Sequence, residues 1–266
     1  MKRILTAFYP SVTPVHVITF AIQFAKQNSA VIHAVYLSEE KEIINSDYPF
    51  PNDLSITEDF GSTENISQEN NKLIEDNIKV FKKECELNGI TFSIEKNITV
   101  EQLIDKTANS DLLITDSESN YIERVLTKMH CPAFITSTAE MPKKVILMYD
   151  NSLACKRAIE TYISLFPQFA NLPTCLFSIN TEPEDKLEMK QYFEEKLQPV
   201  FSNLNLQIEY GNTKKEFKNF IDQLSGPALA VMGAFGRSAL SNFFYPSLAN
   251  TALKERNISL FIVHDN

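Results

Sequence analysis

Short apolar runs alternate with longer amphipathic segments along the whole chain, and this alternation predicts a parallel sheet wrapped by helices. In the first half, RILTAFY (3 to 9), AVIHAVYL (30 to 37), ITFSIEK (90 to 96), DLLITDS (111 to 117) and PAFITS (132 to 137) predict strands. Residues 13 to 29, 67 to 89, 100 to 109 and 121 to 130 carry helical spacing, and Gly89 stops the second of these helices. The second half repeats the order. Strands are predicted at KVILMYD (144 to 150), TCLFSIN (174 to 180), LQIEYG (206 to 211), ALAVMGA (228 to 234) and ISLFIVH (258 to 264). Helices are predicted at 152 to 166, 184 to 204, 214 to 225 and 247 to 257, with Pro199 expected to bend the second of them.

RILTAFYPS lies over KVILMYDNS, and LLIT (112 to 115) lies over LAVM (229 to 232). Two tandem copies of one domain account for this better than a single fold, because a repeat explains both the order of elements and the apolar character of the strands. The expected fold class is α/β: two tandem doubly wound five-stranded parallel-sheet domains, residues 1 to 141 and 142 to 266. The short joint at 138 to 143 implies that the copies pack directly on each other, as an internal pseudo-dimer. Lengths separate the copies as well. From Leu112 to Pro132 is 20 residues, whereas the matching span from Leu229 to Ser259 is 30, so the first copy lacks a loop after its fourth strand. It carries instead an acidic, proline-containing stretch at 38 to 66, expected to be an exposed loop.

Charge follows the same division. Residues 1 to 141 hold 12 Lys+Arg against 21 Asp+Glu, and residues 142 to 266 hold 13 against 13, so the second copy suits an anionic ligand better. The net charge of -9 and the lack of a basic stripe argue against nucleic acid as a partner. The four cysteines and four histidines are scattered, without disulfide or metal spacing, and reduced buried thiols are expected. The chain starts straight into an apolar strand, without a signal-peptide pattern, and has no apolar stretch long enough to span a bilayer. A soluble cytoplasmic protein without a membrane partner is expected.

In an open parallel sheet, ligands sit at the carboxyl ends of the strands where strand order reverses. There the second copy places Asp150, Asn151 and Ser152, then Ile179 and Asn180, then the loop GAFGRSALSNFFYPS from Gly233 to Ser247. A carboxylate can hold ribose hydroxyls, glycines let backbone approach phosphates, and a helix beginning at Ser247 would offer free N–H groups. Each feature also has a plainer reading. Gly-x-x-Gly is a common turn, Asp150 could shape a turn or cap a helix, and Ser247 could serve only as an N-cap. Arg237 could be a solvated loop charge rather than a phosphate clamp. Phe243, Phe244 and Tyr245 suit anchoring the loop better than stacking a base.

The second copy resembles a universal stress protein domain: KVILMYDNS is similar to its first strand ending in aspartate, and VMGAFGRSALSNFFYPS to its G-x2-G-x9-G-S/T nucleotide loop. LFIVH is similar to its last strand, which in that family commonly pairs with a partner domain. The whole chain thus resembles a tandem universal stress protein, Rossmann-like and of the adenine nucleotide alpha hydrolase type. The resemblance implies a stress-response protein whose second copy binds ATP or another adenine nucleotide, with magnesium where the phosphates require it. It implies adenosine contacts from Asp150 with Ser152 beside it, an adenine contact from the Ile179 backbone, and phosphate contacts from Gly233, Gly236 and Ser247, with Arg237 the loop's candidate clamp from its charge alone. It also implies pairing of the two domains within the chain, and leaves open a homodimer of whole chains and the identity of any protein partner. Two departures matter. Pro246 replaces the third glycine of the loop and has no N–H to give a phosphate. In the first copy Tyr9 stands where the aspartate belongs and TDSESNYIERVL has no glycine, so no nucleotide is expected there. No nucleophile, acid–base pair or metal cluster stands out in the sequence, so efficient catalysis is not expected. Slow ATP hydrolysis would follow only by analogy. The rival reading is a protein of the same fold that acts through protein partners or another small ligand.

Overall fold

The computed structural model describes residues 1–9, 14–38, 63–117, 121–136, 138–234 and 258–264. The first copy runs β1 (Arg3–Phe8), α1 (Val15–Asn28), β2 (Val31–Leu37), α2 (Thr63–Leu87), β3 (Phe92–Ile98), α3 (Val100–Thr107), β4 (Leu112–Asp116), α4 (Ile122–Leu126) and β5 (Ala133–Thr136). The second runs β6 (Lys144–Met148), α5 (Leu153–Leu165), β7 (Thr174–Ile179), α6 (Pro183–Tyr192), β8 (Leu204–Glu209), α7 (Thr213–Asp222), β9 (Ala228–Ala234) and β10 (Ile258–His264).

These strands form one ten-stranded sheet in the order β3-β2-β1-β4-β5-β10-β9-β6-β7-β8. Each copy is a parallel, doubly wound half of order 3-2-1-4-5. The halves join through β5 and β10, the antiparallel pair in the sheet, with Phe261 opposite Phe134. The central strands β1, β4, β6 and β9 are mainly apolar and buried along most of their length, with Thr6, Thr115 and Asp116 as buried polar exceptions, because helices cover both faces. On one face a single apolar layer runs across the seam, from Phe20 and Phe24 of α1 through Phe134 to Phe166 and Phe261. Phe20 stacks on Phe134 at 3.9 Å, and Phe166 meets Phe24 at 4.9 Å and Phe261 at 5.4 Å. The internal pseudo-dimer expected from the repeat is therefore one continuous sheet with a shared core.

Two local expectations need correction. α2 begins at Thr63, inside the stretch read as loop; residues 39–62 lie outside the described residues. The helix expected over 184 to 204 does not bend at Pro199 but ends near it. α6 stops at Tyr192 and passes into a π-helical turn, Phe193–Leu197, in which Gln198 N–H bonds to Phe193 C=O at 2.9 Å. Pro199 can donate no bond and its ring crowds the carbonyl four residues back, so the chain leaves helical geometry and Leu204 opens β8. The predicted helix at 247 to 257 lies outside the described residues. All four cysteines are free and buried. Among the described residues no helix is long and apolar enough to cross a membrane.

Candidate functional site

At the carboxyl ends of β6 and β7 lies a cavity of about 340 Å³, lined by Asp150, Asn151, Ile179, Asn180, Asp185 and Thr213 among others. It sits beside the reversal of strand order between β6 and β9, where the doubly wound topology opens a crevice. Asp150, Asn151 and Ile179 were placed there from strand ends alone, and the structure brings them together.

Asp150 has two functions at once. Its Oδ1 accepts the Ser152 N–H at 3.0 Å and the Ser152 hydroxyl at 2.6 Å. The Ser152 Oγ in turn accepts the Cys155 N–H at 3.1 Å as the N-cap of α5. Oδ1 thus shapes the turn, the carboxylate also meets the Cys155 thiol, and Asp150 lines the cavity. Ser152 is a cap first, positioned next to the cavity rather than lining it. Burial, reinforced by the charge of Asp150, pushes the Cys155 thiol up to about 12, so it stays a neutral thiol.

Two asparagines hold the rim, and the sequence reading missed both roles. Asn151 adopts φ 62°, a left-handed conformation that asparagine tolerates. Its amide donates to Asp185 at 2.9 Å and to Glu188 at 2.7 Å, and its Oδ1 accepts the Tyr149 hydroxyl at 2.9 Å. Burial holds the Tyr149 phenol above its ordinary range, which keeps it a donor. Asn180, at φ 57°, exchanges two 2.8 Å bonds with the Gly211 backbone and fixes the far wall. The available signal was an asparagine directly after a strand, a residue type suited to left-handed turns.

Ile179 presents its backbone edge. Phe177 C=O accepts the Tyr149 N–H at 2.8 Å, and Asn180 N–H turns the other way to Glu209 C=O at 2.8 Å. Because strand residues alternate, Ile179 N–H and C=O face the β6 side, past the last ladder bond and over the cavity.

Gly233 owes its identity to packing. A Cβ built there would lie 2.5 Å from the Ala154 carbonyl carbon and 2.8 Å from the Cys155 nitrogen, so only glycine lets the first turn of α5 rest on β9. Gly236, Arg237, Pro246 and Ser247, with Phe243, Phe244 and Tyr245, lie outside the described residues.

The first copy resolves the same place differently. Ile4 pairs with Leu112 as Val145 pairs with Leu229, so Asp116 is the counterpart of Gly233, and Tyr9 that of Asp150. His16 is the second residue of α1, as Ala154 is of α5. Where the second copy brings two backbones together, the first inserts two side chains, with His16 Nε2 lying 2.5 Å from Asp116 Oδ2. Tyr9 stacks at 6.4 Å on Tyr121, whose hydroxyl donates to Ala7 C=O at 3.1 Å and meets Thr115 Oγ at 2.7 Å. Aromatic and charged side chains occupy this strand end. Laying Asp116 over Gly233 in the repeat would have shown the substitution.

No protein-family model matches the sequence, and no curated protein matches it. Among solved structures, a universal stress protein from Archaeoglobus fulgidus is similar with a TM-score of 0.68 at 14% identity, covering 98% of this chain and 96% of its own. A functionally unknown protein from Pseudomonas aeruginosa is similar with a TM-score of 0.61 at 13% identity, covering 99% and 92%. A candidate universal stress protein from the same species reaches 0.61 at 13% identity, covering 99% and 93%. At such identities the likeness concerns the fold, and both copies share in it from end to end.

Proposed function

We propose that this chain, with its tandem universal stress protein fold, binds ATP or another adenine nucleotide in the cavity of its second copy and acts in the stress response through that occupancy. One juxtaposition carries the reading: Asp150 and the backbone edge of Ile179 line one cavity of about 340 Å³, within the range of small-molecule sites. Adenine offers a donor at N6 and an acceptor at N1, which match a strand's C=O and N–H. Ribose hydroxyls match a carboxylate. The phosphates would fall to Gly236, Arg237 and Ser247, with one donor lost at Pro246. Among the described residues no three His, Cys, Asp or Glu side chains come together to hold a metal, so magnesium would enter with the phosphates. The proposed role is binding rather than turnover, in the cytoplasm, with a homodimer or another protein reading the occupancy.

The test is to denature freshly purified protein and chromatograph released adenine nucleotide, comparing Asp150→Asn with the parent. Asparagine keeps the Oδ1 acceptor that shapes the turn and removes the charge. Losing a charge-assisted bond of about 1.5 to 3 kcal/mol lowers affinity roughly ten- to a hundredfold. Equal occupancy in both proteins would sink the site.

A second reading rests on charge. Asp150, Glu182 and Asp185 line the cavity, and the described lining contains no Lys or Arg. That favours a ligand without phosphate, such as a nucleoside, and tighter binding of adenosine than of ATP would decide for it.

A further inference from the structure

We propose that Ser93, His33 and Glu95 form a second functional site, a nucleophilic relay at the open edge of the first copy that reacts with small activated esters. Ser93 and Glu95 are two residues apart on β3 and so share a face, and His33 on β2 is in register with Ser93. The Ser93 Oγ lies 2.7 Å from His33 Nδ1, and His33 Nε2 lies 3.0 Å from Glu95 Oε1. Lys106 of α3 holds the other carboxylate oxygen at 2.7 Å.

This arrangement fixes the direction of the bonds. A carboxylate only accepts, so the ring proton sits on Nε2, and Nδ1 is left to accept the Ser93 hydroxyl proton. That is the nucleophile, base and orienting-carboxylate order of an acyl-transfer relay. Burial lowers the pKa of His33 from its ordinary value, so the ring is neutral at pH 7, as a base must be. The charged groups facing it are Glu95 on β3 and Lys106 on α3; from β1 it meets apolar Leu5. The Lys106 ammonium holds Glu95 below the usual carboxylate range, so it stays ionised.

Access and charge stabilisation are also in place. Ser93 is exposed on β3, which among the described residues is an edge strand of the sheet. Ile32 N–H bonds to Thr91 C=O, so residues 91 and 93 turn their backbone groups to β2 and Ile94 turns its N–H outward. The donor next in chain to the nucleophile is thus open to a developing oxyanion. In the reaction, Ser93 Oγ attacks the ester carbonyl as its proton passes to Nδ1. The bond to the leaving aryl oxygen breaks, and that oxygen takes the proton. Water, deprotonated by His33, then releases the carboxylic acid and restores Ser93. The shallow edge selects short acyl groups on good leaving groups.

The experiment treats the full chain with a fluorophosphonate probe and maps the adduct by peptide mass spectrometry, with p-nitrophenyl acetate hydrolysis as a second readout. The adduct is expected on Ser93 and absent in Ser93→Ala. His33→Gln should slow labelling by ~100-fold, the usual contribution of a general base. Labelling should fall as pH drops through a midpoint below 6.5, because protonated His33 cannot accept. Ser93 is exposed, so Ser93→Ala should keep the parent circular dichroism. No adduct, equal labelling in Ser93→Ala, or a rate indifferent to His33 would each overturn the relay.

Discussion

Gly233 and Asp116 hold equivalent places on β9 and β4, and what distinguishes them is how closely the following helix is allowed to approach. In the second copy the helix backbone comes within 2.5 Å of where a Cβ would be, so Gly233→Ala must push α5 or β9 aside. Overpacking of this kind costs about 1 to 3 kcal/mol. In a chain of this size each kcal/mol shifts a melt by about 2 to 4 °C. A fall in Tm of several degrees is expected, and an unchanged melt would show that the contact relaxes freely. In the first copy the corresponding distance is bridged by His16 and Asp116, whose side chains are 24% and 10% exposed. His16→Ala removes the imidazole from a nearly buried carboxylate and should lower stability by about 1 to 3 kcal/mol in urea titration. The glycine was legible in the sequence as a loop signal; its packing reason was not, because Ala154 and Gly233 meet only through the fold.

Element boundaries follow local chemistry where a cap or a break is written into the chain. Thr99 and Gln102 form a reciprocal capping box at the start of α3, the Gln102 N–H bonding to Thr99 Oγ at 3.2 Å and the Thr99 N–H to Gln102 Oε1 at 3.0 Å. Thr99→Ala should therefore cost about 1 kcal/mol, read as a lower urea midpoint with unchanged slope. The strands and the α1, α3, α5 and α7 helices were legible because apolar periodicity alone separates them. The start of α2 was not, since its first turn, TENIS, presents almost no apolar spacing to read. The site divides in the same way. Asp150 and Ile179 follow from the rule about strand ends, whereas the clasp from Asn151 to Asp185 spans 34 residues and depends on where α6 is set down. Long-range hydrogen bonds of this sort leave no local pattern.

At the scale of the molecule, the repeat does more than double a domain. β5 and β10 would each be an exposed apolar edge if the copies were parted, with Phe134, Ile135, Leu260 and Phe261 all at or below 1% exposure in the joined sheet. Exposed edges of that kind pair or aggregate, so fragments cut at the 138 to 143 joint should be insoluble or associate with each other. Phe166 is the sharpest probe of this coupling, because it belongs to the second copy and packs on Phe24 and Phe134 of the first. Phe166→Ala should remove about 3 to 5 kcal/mol. If the two copies fold as one cooperative unit, that loss appears as a single urea transition at a lower midpoint, with hydrogen-exchange protection falling in β1 and β4 as much as in β6 and β9. Separate domains would instead show two transitions, and the first copy's strands would keep their protection. A coupled core also gives occupancy of the second copy's cavity a physical route to the first copy, since anything that tightens α5 on β9 tightens the layer in which Phe166 meets Phe24.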